Sequence, residues 1–220
     1  MKFTILKAFT LAEVLITLVI IGVIAAMTVP TLSNSYSDKM YVSSLKKNFS
    51  VMSNAFNLAK KFDYNDYEDW AHADQNSEGI YKNYLYLKSY LNIIRECKDK
   101  DGCWSKDITK APNGSNASGA TARGIGTNIV TFTLNDGTNV CLDYWNESDT
   151  KNRFGVTKNL LENSLSVWVD VNGDKKPNRM GKDVFAFILT SKGLVPAGTN
   201  NDSENCKTTG YDCAAKYIRY

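Results

Sequence analysis

Lys7-Ala8-Phe9-Thr10-Leu11-Ala12-Glu13 leads without a break into the apolar run VLITLVIIGVIAAMTV of residues 14–29. At about 1.5 Å of rise per residue, a helix over residues 9–29 is roughly 32 Å long. That length is enough to cross a hydrocarbon layer of about 30 Å. The segment therefore predicts one membrane-spanning helix, and Glu13 is the only charged residue within it.

Glu13 needs an explanation, because an ionisable side chain inside a membrane helix costs a few kcal/mol. An ordinary secretory signal or a plain membrane anchor is one alternative. Lys2 and Lys7 give the positive start of a signal, and residues 23–25 could serve as its small-residue cleavage site. The carboxylate counts against both, because it weakens a signal or an anchor. A subunit that docks laterally in the membrane can instead use the charge to fix its register.

Residues 7–30 resemble the class III leader of type IV pilins and type II secretion pseudopilins: a short basic leader, a small residue, Phe-Thr-Leu-x-Glu and an unbroken apolar helix. The resemblance implies that a prepilin peptidase cuts between Ala8 and Phe9 and methylates the new amine of Phe9. Glu13 then becomes available to the amine of Phe9 in a neighbouring subunit during assembly. The family usually has glycine before the cut, where this chain has Ala8, another small residue.

The charges before the span predict its orientation. Lys2 and Lys7 precede it, so the positive-inside tendency places the N-terminus in the cytoplasm. We therefore expect a leader peptide at residues 1–8, a transmembrane or filament-core helix at 9–30 and an exported globular domain at 31–220. The resemblance implies a bacterial cytoplasmic (inner) membrane protein whose domain is periplasmic or extracellular and filament-associated. Its expected partners are other pilin-like subunits, the prepilin peptidase, the inner-membrane assembly platform and membrane lipid.

Apolar spacing predicts two helices after the span. The first continues beyond the membrane, because its apolar residues recur at alternating steps of three and four; they are Val42, Leu45, Phe49, Met52, Phe56 and Ala59. The same spacing predicts a second helix over residues 78–96. Residues 99–127 are rich in Gly, Ser, Asn and Thr, which is typical of a surface loop.

Strands dominate the second half of the chain. Residues 128–134 and 139–145 flank an Asn-Asp-Gly-Thr turn and predict a β-hairpin. A second strand pair is expected over residues 165–170 and 183–190. Helices followed by a meander of strands indicate an α+β fold with an antiparallel sheet. The pilin resemblance implies the same fold, with the long N-terminal helix packed on the sheet.

Charge and cysteine content exclude several classes of protein. The formal net charge is +3, and removal of Lys2 and Lys7 with the leader leaves 24 of the 26 basic side chains against 23 acidic ones. This near-balance argues against nucleic-acid binding. Zinc binding is disfavoured, because the chain has no Cys-x-x-Cys and a single histidine.

All five cysteines follow the span, in a compartment that the predicted topology makes oxidising, so we expect disulfides. Close spacing favours Cys97 with Cys103 and Cys206 with Cys213, which leaves Cys141 alone on a predicted strand. Five choices of the odd thiol and three pairings of the others leave fifteen arrangements open. The second pair resembles the disulfide that pilin-like proteins often carry near the C-terminus.

The segment between the second pair of strands is a candidate calcium loop. Asp170, Asn172 and Asp174 stand at alternate positions and can turn several oxygens toward one hard cation, with Asn178 and Asp183 as further ligands. Its pattern also resembles loops of pilin-like subunits, some of which hold structural calcium. The loop is not an EF-hand, since its glycine is misplaced and it lacks the glutamate at the twelfth position. A plain turn whose side chains bond their own backbone is the alternative, and Lys175, Lys176 and Arg179 weaken a cation site.

Two classes of function follow from the sequence. The first is a non-enzymatic pilin-like subunit, either a pseudopilin or a minor pilin, that assembles through its N-terminal helix into a type IV pilus or a type II secretion pseudopilus. The second is a single-pass, membrane-anchored exported domain that acts alone as a binder or hydrolase. The sequence offers no nucleophile, acid–base pair or phosphate loop in support of the second class.

Overall fold

The computed structural model describes residues 9–62, 67, 70, 77–117, 128–200 and 205–218. The predicted leader, including Ala8 of the proposed processing site, lies outside these ranges. The chain divides into two units, one ending at Met40 and one running from Tyr41 to Tyr220.

A single helix, α1 (Leu11–Phe62), contributes to both units. Its first turn is closed by the side chains of Thr10 and Glu13, described below, and Pro30 lies inside it. In the first unit its large apolar side chains are exposed on every face of the helix; Leu11, for example, is 79% exposed and Met27 is 73% exposed. Over its most apolar 18-residue window the mean hydropathy is 2.5 and no residue is buried. Among the described residues it is the one helix long and apolar enough, by length and composition, to cross a membrane.

The second unit is built around the C-terminal part of α1. Leu45, Met52, Phe56 and Ala59 are fully buried, so the predicted apolar stripe is confirmed as a core face. Near the start of this buried part of α1, polar contacts join the helix to the turn that precedes Asn139. The side chain of Asn48 donates to Thr138 Oγ1 (3.0 Å), and Lys47 forms an ion pair with Asp136 at 2.8 Å.

One antiparallel sheet follows in the described part of the chain, with its strands in sequence order from β1 to β6. The strands are β1 (Ile93–Lys98), β2 (Ile129–Leu134), β3 (Asn139–Asn146), β4 (Asn163–Asp170), β5 (Val184–Thr190) and β6 (Gly193–Pro196). The predicted hairpin is confirmed as β2 and β3, joined through Asp136-Gly137, and the predicted second pair as β4 and β5. The α+β expectation therefore holds for the described residues.

Alternate residues of the central strands enter two separate cores. On one face, Val167, Val169 and Phe187 pack with the buried stripe of α1. On the other face, Trp168 and Ile188 pack with Trp104, Phe154 and Tyr211. Because both faces are covered, β4 and β5 are buried along nearly their whole length.

Four shorter helices cover the sheet within the described ranges. They are α2 (Ser77–Lys88), α3 (Glu147–Phe154), α4 (Asn205–Thr208) and α5 (Ala214–Tyr217). The prediction of a helix over residues 78–96 is wrong beyond Lys88, because Ile93 begins the edge strand β1 and pairs with Leu134. The adjacent β-branched residues Ile93 and Ile94 favour an extended backbone, and pairing with β2 overrides the helical spacing.

The Gly- and Asn-rich stretch also departs from expectation. Residues 99–117 contain neither helix nor strand, as predicted, but they are not all surface. Trp104, Ser105, Thr109 and Ala111 are buried, and Trp104 belongs to the second core. Residues 118–127 of the predicted loop lie outside the described ranges.

Candidate functional site

The connection between β4 and β5, residues 170–183, holds several buried polar side chains; we call it the cation loop. Asp170 is the last residue of β4, and Asp183 stands immediately before β5. Gly173 has φ +67°, and a Cβ there would overlap the carbonyl oxygen of Gly137. Glycine at this position therefore lets the cation loop pack directly on the turn between β2 and β3.

Asp183 organises the loop as a hydrogen-bond acceptor. Its Oδ2 accepts from the backbone N–H of Asn178 at 2.9 Å and from the side-chain amide of Asn172 at 3.0 Å. Its Oδ1 accepts from the backbone N–H of Arg179 at 2.6 Å. Both oxygens of a fully buried carboxylate are thereby bonded to the loop itself.

Asp170 has no such set of partners. It is fully buried, and its Oδ1 accepts a long hydrogen bond of 3.3 Å from the backbone N–H of Asn172. Its Oδ2 is buried without a hydrogen-bond partner, and the same is true of Asn172 Oδ1 and Asn178 Oδ1. Since each orphaned buried oxygen costs free energy, three of them in one loop need an explanation.

Electrostatics add to that cost. Burial raises the pKa of Asp170 well above its ordinary value, and the charge of Asp183 raises it further. Burial also raises the pKa of Asp183, against the lowering effect of its hydrogen bonds. No lysine or arginine among the described residues forms an ion pair with either carboxylate. Two buried carboxyl groups without an ion-pair partner among the described residues, together with the orphaned amide oxygens, form the oxygen-rich donor set that Ca²⁺ prefers.

The structure brings four of the five predicted ligands together and leaves Asp174 aside. Asn172 donates hydrogen bonds to both Asp170 and Asp183. The backbone N–H of Asn178 donates to Asp183 as well. The carboxylate of Asp174 is more than half exposed, accepts from Asn139 Nδ2 at 3.0 Å and pairs with Arg95 at 3.5 Å. The alternation of Asp170, Asn172 and Asp174 does not survive, because the backbone turns within Val171–Asp174.

Ser105 is the residue of this cluster that sequence reasoning missed. Its Oγ accepts from Asn178 Nδ2 at 2.6 Å across 73 positions of sequence. This bond turns the oxygen of the Asn178 amide away from Ser105 and leaves it without a partner. A serine within a Gly- and Ser-rich stretch carries no sequence signal for such a distant contact.

The structure joins Cys97 to Cys103 and Cys206 to Cys213, the two pairs that close spacing favours. Cys141 is free and buried on β3, where burial raises the pKa of its thiol well above the ordinary value. Asp212 lies with Cys206 and Cys213 in an arrangement of three ligand-type side chains. The disulfide occupies both of those sulfurs, so this group does not compete with the cation loop as a metal site.

At the N-terminus, Glu13 and Thr10 close the first turn of α1 reciprocally. Glu13 Oε2 accepts from the backbone N–H and the hydroxyl of Thr10, each at 2.8 Å. Thr10 Oγ1 accepts from the backbone N–H of Glu13 at 3.2 Å. This is a capping box, and its signature, threonine followed three residues later by glutamate, was readable in the sequence. Phe9, the predicted new terminus, stands one residue before the cap and is 85% exposed.

Comparison of the chain with protein-family models, curated proteins and solved structures finds no match in any of the three.

Proposed function

We propose that this chain is a non-enzymatic, pilin-like filament subunit that assembles through its N-terminal helix. The observation that carries the proposal is the contrast along α1. Its first part exposes large apolar side chains on all faces, whereas its second part is the buried core helix of a globular domain. An all-round apolar helix must be covered by lipid or by other helices.

The N-terminal end of α1 suggests how subunits would meet. After cleavage between Ala8 and Phe9, the new positive amine would stand next to a capped turn that already holds the Glu13 carboxylate. In the membrane, a neighbour's amine would neutralise Glu13 and fix the stagger between adjacent helices. The run from Val14 to Val29 would supply the helix-to-helix packing surface.

The proposal places the protein in a bacterial inner membrane, N-terminus in, with its domain exported. A prepilin peptidase, an assembly platform and other pilin-like subunits would be its partners. Intact mass and N-terminal peptide mapping of the membrane form test processing directly. We expect loss of residues 1–8 and one added methyl group on Phe9. An uncut start, or a cut after Ala25, would contradict the proposal and favour a lone exported domain.

The capping box allows a sharper test of Glu13. Glu13→Gln keeps an oxygen that can accept from Thr10 but removes the charge, whereas Thr10→Ala removes the cap and keeps the charge. If the charge docks a neighbour, Glu13→Gln is still cut but enters filaments at least tenfold less well, while Thr10→Ala assembles nearly normally. If capping is the whole role, the order of the two variants is reversed. Sheared filaments, quantified by immunoblot, provide the measurement.

A structural calcium ion in the cation loop belongs to the same proposal. Asp170 and Asp183 would supply the negative charge, and Asn172 and Asn178 would contribute amide oxygens. The ion would tie the end of β4 to the start of β5 and stabilise the loop. It has no catalytic part in this proposal.

A further inference from the structure

A basic cleft lies beside the cation loop. It has a volume of about 520 Å³ and is lined by Lys106, Asp107, Ile108, Lys110, Lys176 and Pro177. Backbone hydrogen bonds join its two walls: Lys110 N–H donates to Asn178 O and Met180 N–H donates to Lys110 O, each at 2.8 Å. This short ladder sets Lys110 beside Arg179, so that the cleft is a built feature of the domain.

The charge around the cleft is predominantly positive. Lys106, Lys110, Lys175, Lys176 and Arg179 are all exposed there. Asp107 is the acidic residue of the cleft lining, and it pairs with Lys176 at 3.4 Å. An ion pair this exposed contributes little and exchanges readily for another partner. Within the described ranges, Lys106, Lys175 and Arg179 have no carboxylate partner.

The same chain carries a complementary acidic run. Residues 62–81 contain six acidic side chains and no lysine or arginine; they are Asp63, Asp66, Glu68, Asp69, Asp74 and Glu78. Most of the run lies outside the described residues, but two of its aromatic residues are placed. The Tyr67 hydroxyl donates to Asn57 Oδ1 at 3.0 Å, and the Trp70 ring lies 5.4 Å from that of Phe56.

The placed residues Tyr67 and Trp70 lie at the opposite end of the domain from the cleft. Trp70 O accepts from the hydroxyl of Tyr144 near the C-terminal end of β3. The cation loop, by contrast, contacts the N-terminal side of the core helix, where Ser44 Oγ donates to Val171 O. Thr138, bonded to Asn48 at that same end, is six strand residues from Tyr144, or about 20 Å. The anchored part of the acidic run is therefore remote from the cleft of its own chain.

We infer that the basic cleft of one subunit binds the acidic run of a second copy, head to tail. The inference rests on the proposed filament function and names one of its contacts. An interface between different surfaces of identical chains generates an open helical assembly when its rotation does not close into a ring. The near-balanced net charge supports a partner of the same sequence, because a chain that binds a foreign polyanion usually carries a large positive excess.

Charge reversal in the full-length membrane protein tests this contact. The cleft variant combines Lys106→Glu with Lys176→Glu, and the run variant combines Asp66→Lys with Glu68→Lys. A mixture of ¹⁴N- and ¹⁵N-labelled copies is treated with a carbodiimide, which joins contacting carboxylates and amines directly. We expect mixed-isotope peptides that link residues 63–78 to the cleft lysines in wild type. Each variant alone should lower their yield about tenfold, because attraction becomes repulsion and because two of the groups that the carbodiimide joins are removed.

The two variants mixed together should restore cross-linking near to the wild-type yield, since each then offers the charge that the other lacks. Lys158→Glu with Lys192→Glu is the matched control, because it changes the charge equally at exposed lysines away from the cleft, and its yield should be unchanged. Unchanged yield in the cleft variant, or no rescue by mixing, overturns the inference.

Further measurements distinguish a failure of the head-to-tail contact from a failure of the proposed filament function. If copies still form Leu15→Cys disulfides while the cleft variant cross-links normally, the filament role stands and the head-to-tail contact is wrong. If copies with an intact cleft form neither the carbodiimide cross-link nor, when they carry Leu15→Cys, the disulfide, and if they keep residues 1–8, the proposed function fails as well. If the cleft variant instead loses only its retention on an immobilised anionic polysaccharide, the partner is a polyanion and a second copy is excluded.

Discussion

Removing calcium should lower the melting temperature of the full-length protein in detergent, by an amount that follows from the affinity assumed for the site. Asp170 and Asp183 are buried, and once ionised by binding they match the charge of one Ca²⁺. For a dissociation constant of about 10 µM, at the weak end of calcium-sensor sites, 1 mM Ca²⁺ is about 100 times that constant. It would stabilise the fold by about 2.7 kcal/mol. For a chain of this size, that corresponds to roughly 5–11 °C.

For the variant Asp170→Asn, the difference in melting temperature from wild type should change sign between calcium-free and calcium-containing buffer. Without calcium, the variant should melt above wild type, because it no longer buries a carboxylate that burial and Asp183 both disfavour. With calcium, wild type should melt above the variant, because one of the two compensating charges is lost. The matched control is Asp174→Asn, whose side chain is exposed and pairs with Arg95. It should keep the full calcium shift.

Thermal melts followed by circular dichroism, in 1 mM CaCl₂ and in excess EGTA, provide the measurement for all three proteins. Equal melting of wild type in the two buffers would refute the calcium site and leave the plain turn as the explanation of the sequence pattern. Loss of the shift in Asp174→Asn but not in Asp170→Asn would show that the ligand assignment is wrong.

Three further predictions follow from the second unit. Cys206→Ser with Cys213→Ser should lower stability by about 2.5 kcal/mol, because the pair closes a short loop, and chemical denaturation measures this loss. Burial raises the pKa of Asp143 to about 7, so the contribution of this group to stability is fully present below about pH 4 and declines as the pH rises through 7. Asp143→Asn should remove that decline, on the order of 4 kcal/mol, in melts at saturating calcium. The buried thiol of Cys141 should resist a charged alkylating reagent until the protein unfolds, as mass spectrometry would show.

Local patterns predicted much of this fold because their causes are local. The stripe from Leu45 to Ala59 has one face that is apolar, and the Asp136-Gly137 turn has the glycine that a positive φ of 87° requires. Helical spacing misassigned residues 89–96, because a strand edge contributed by β2, from far along the chain, decides their structure. No local pattern predicts β6, a strand of four residues that pairs with β5.

The candidate site shows the same limit. The cluster of Asp and Asn residues marks the loop, but the actual set of oxygens depends on contacts between distant segments. Asp174 is drawn away by Asn139 and Arg95, and Asn178 is oriented by Ser105. A ligand set read from alternate positions assumes an extended backbone, whereas the loop turns within Val171–Asp174.

The cation loop and the basic cleft share one backbone segment, and this couples their proposed roles. Asp183 holds the N–H groups of Asn178 and Arg179, while Lys110 binds the carbonyl of Asn178 from the other side. A cation bound by Asp170 and Asp183 would stiffen the wall that carries Lys176 and Arg179. If both proposals hold, the mixed-isotope cross-linking yield should fall in EGTA for wild type and for Asp174→Asn, but change little for Asp170→Asn.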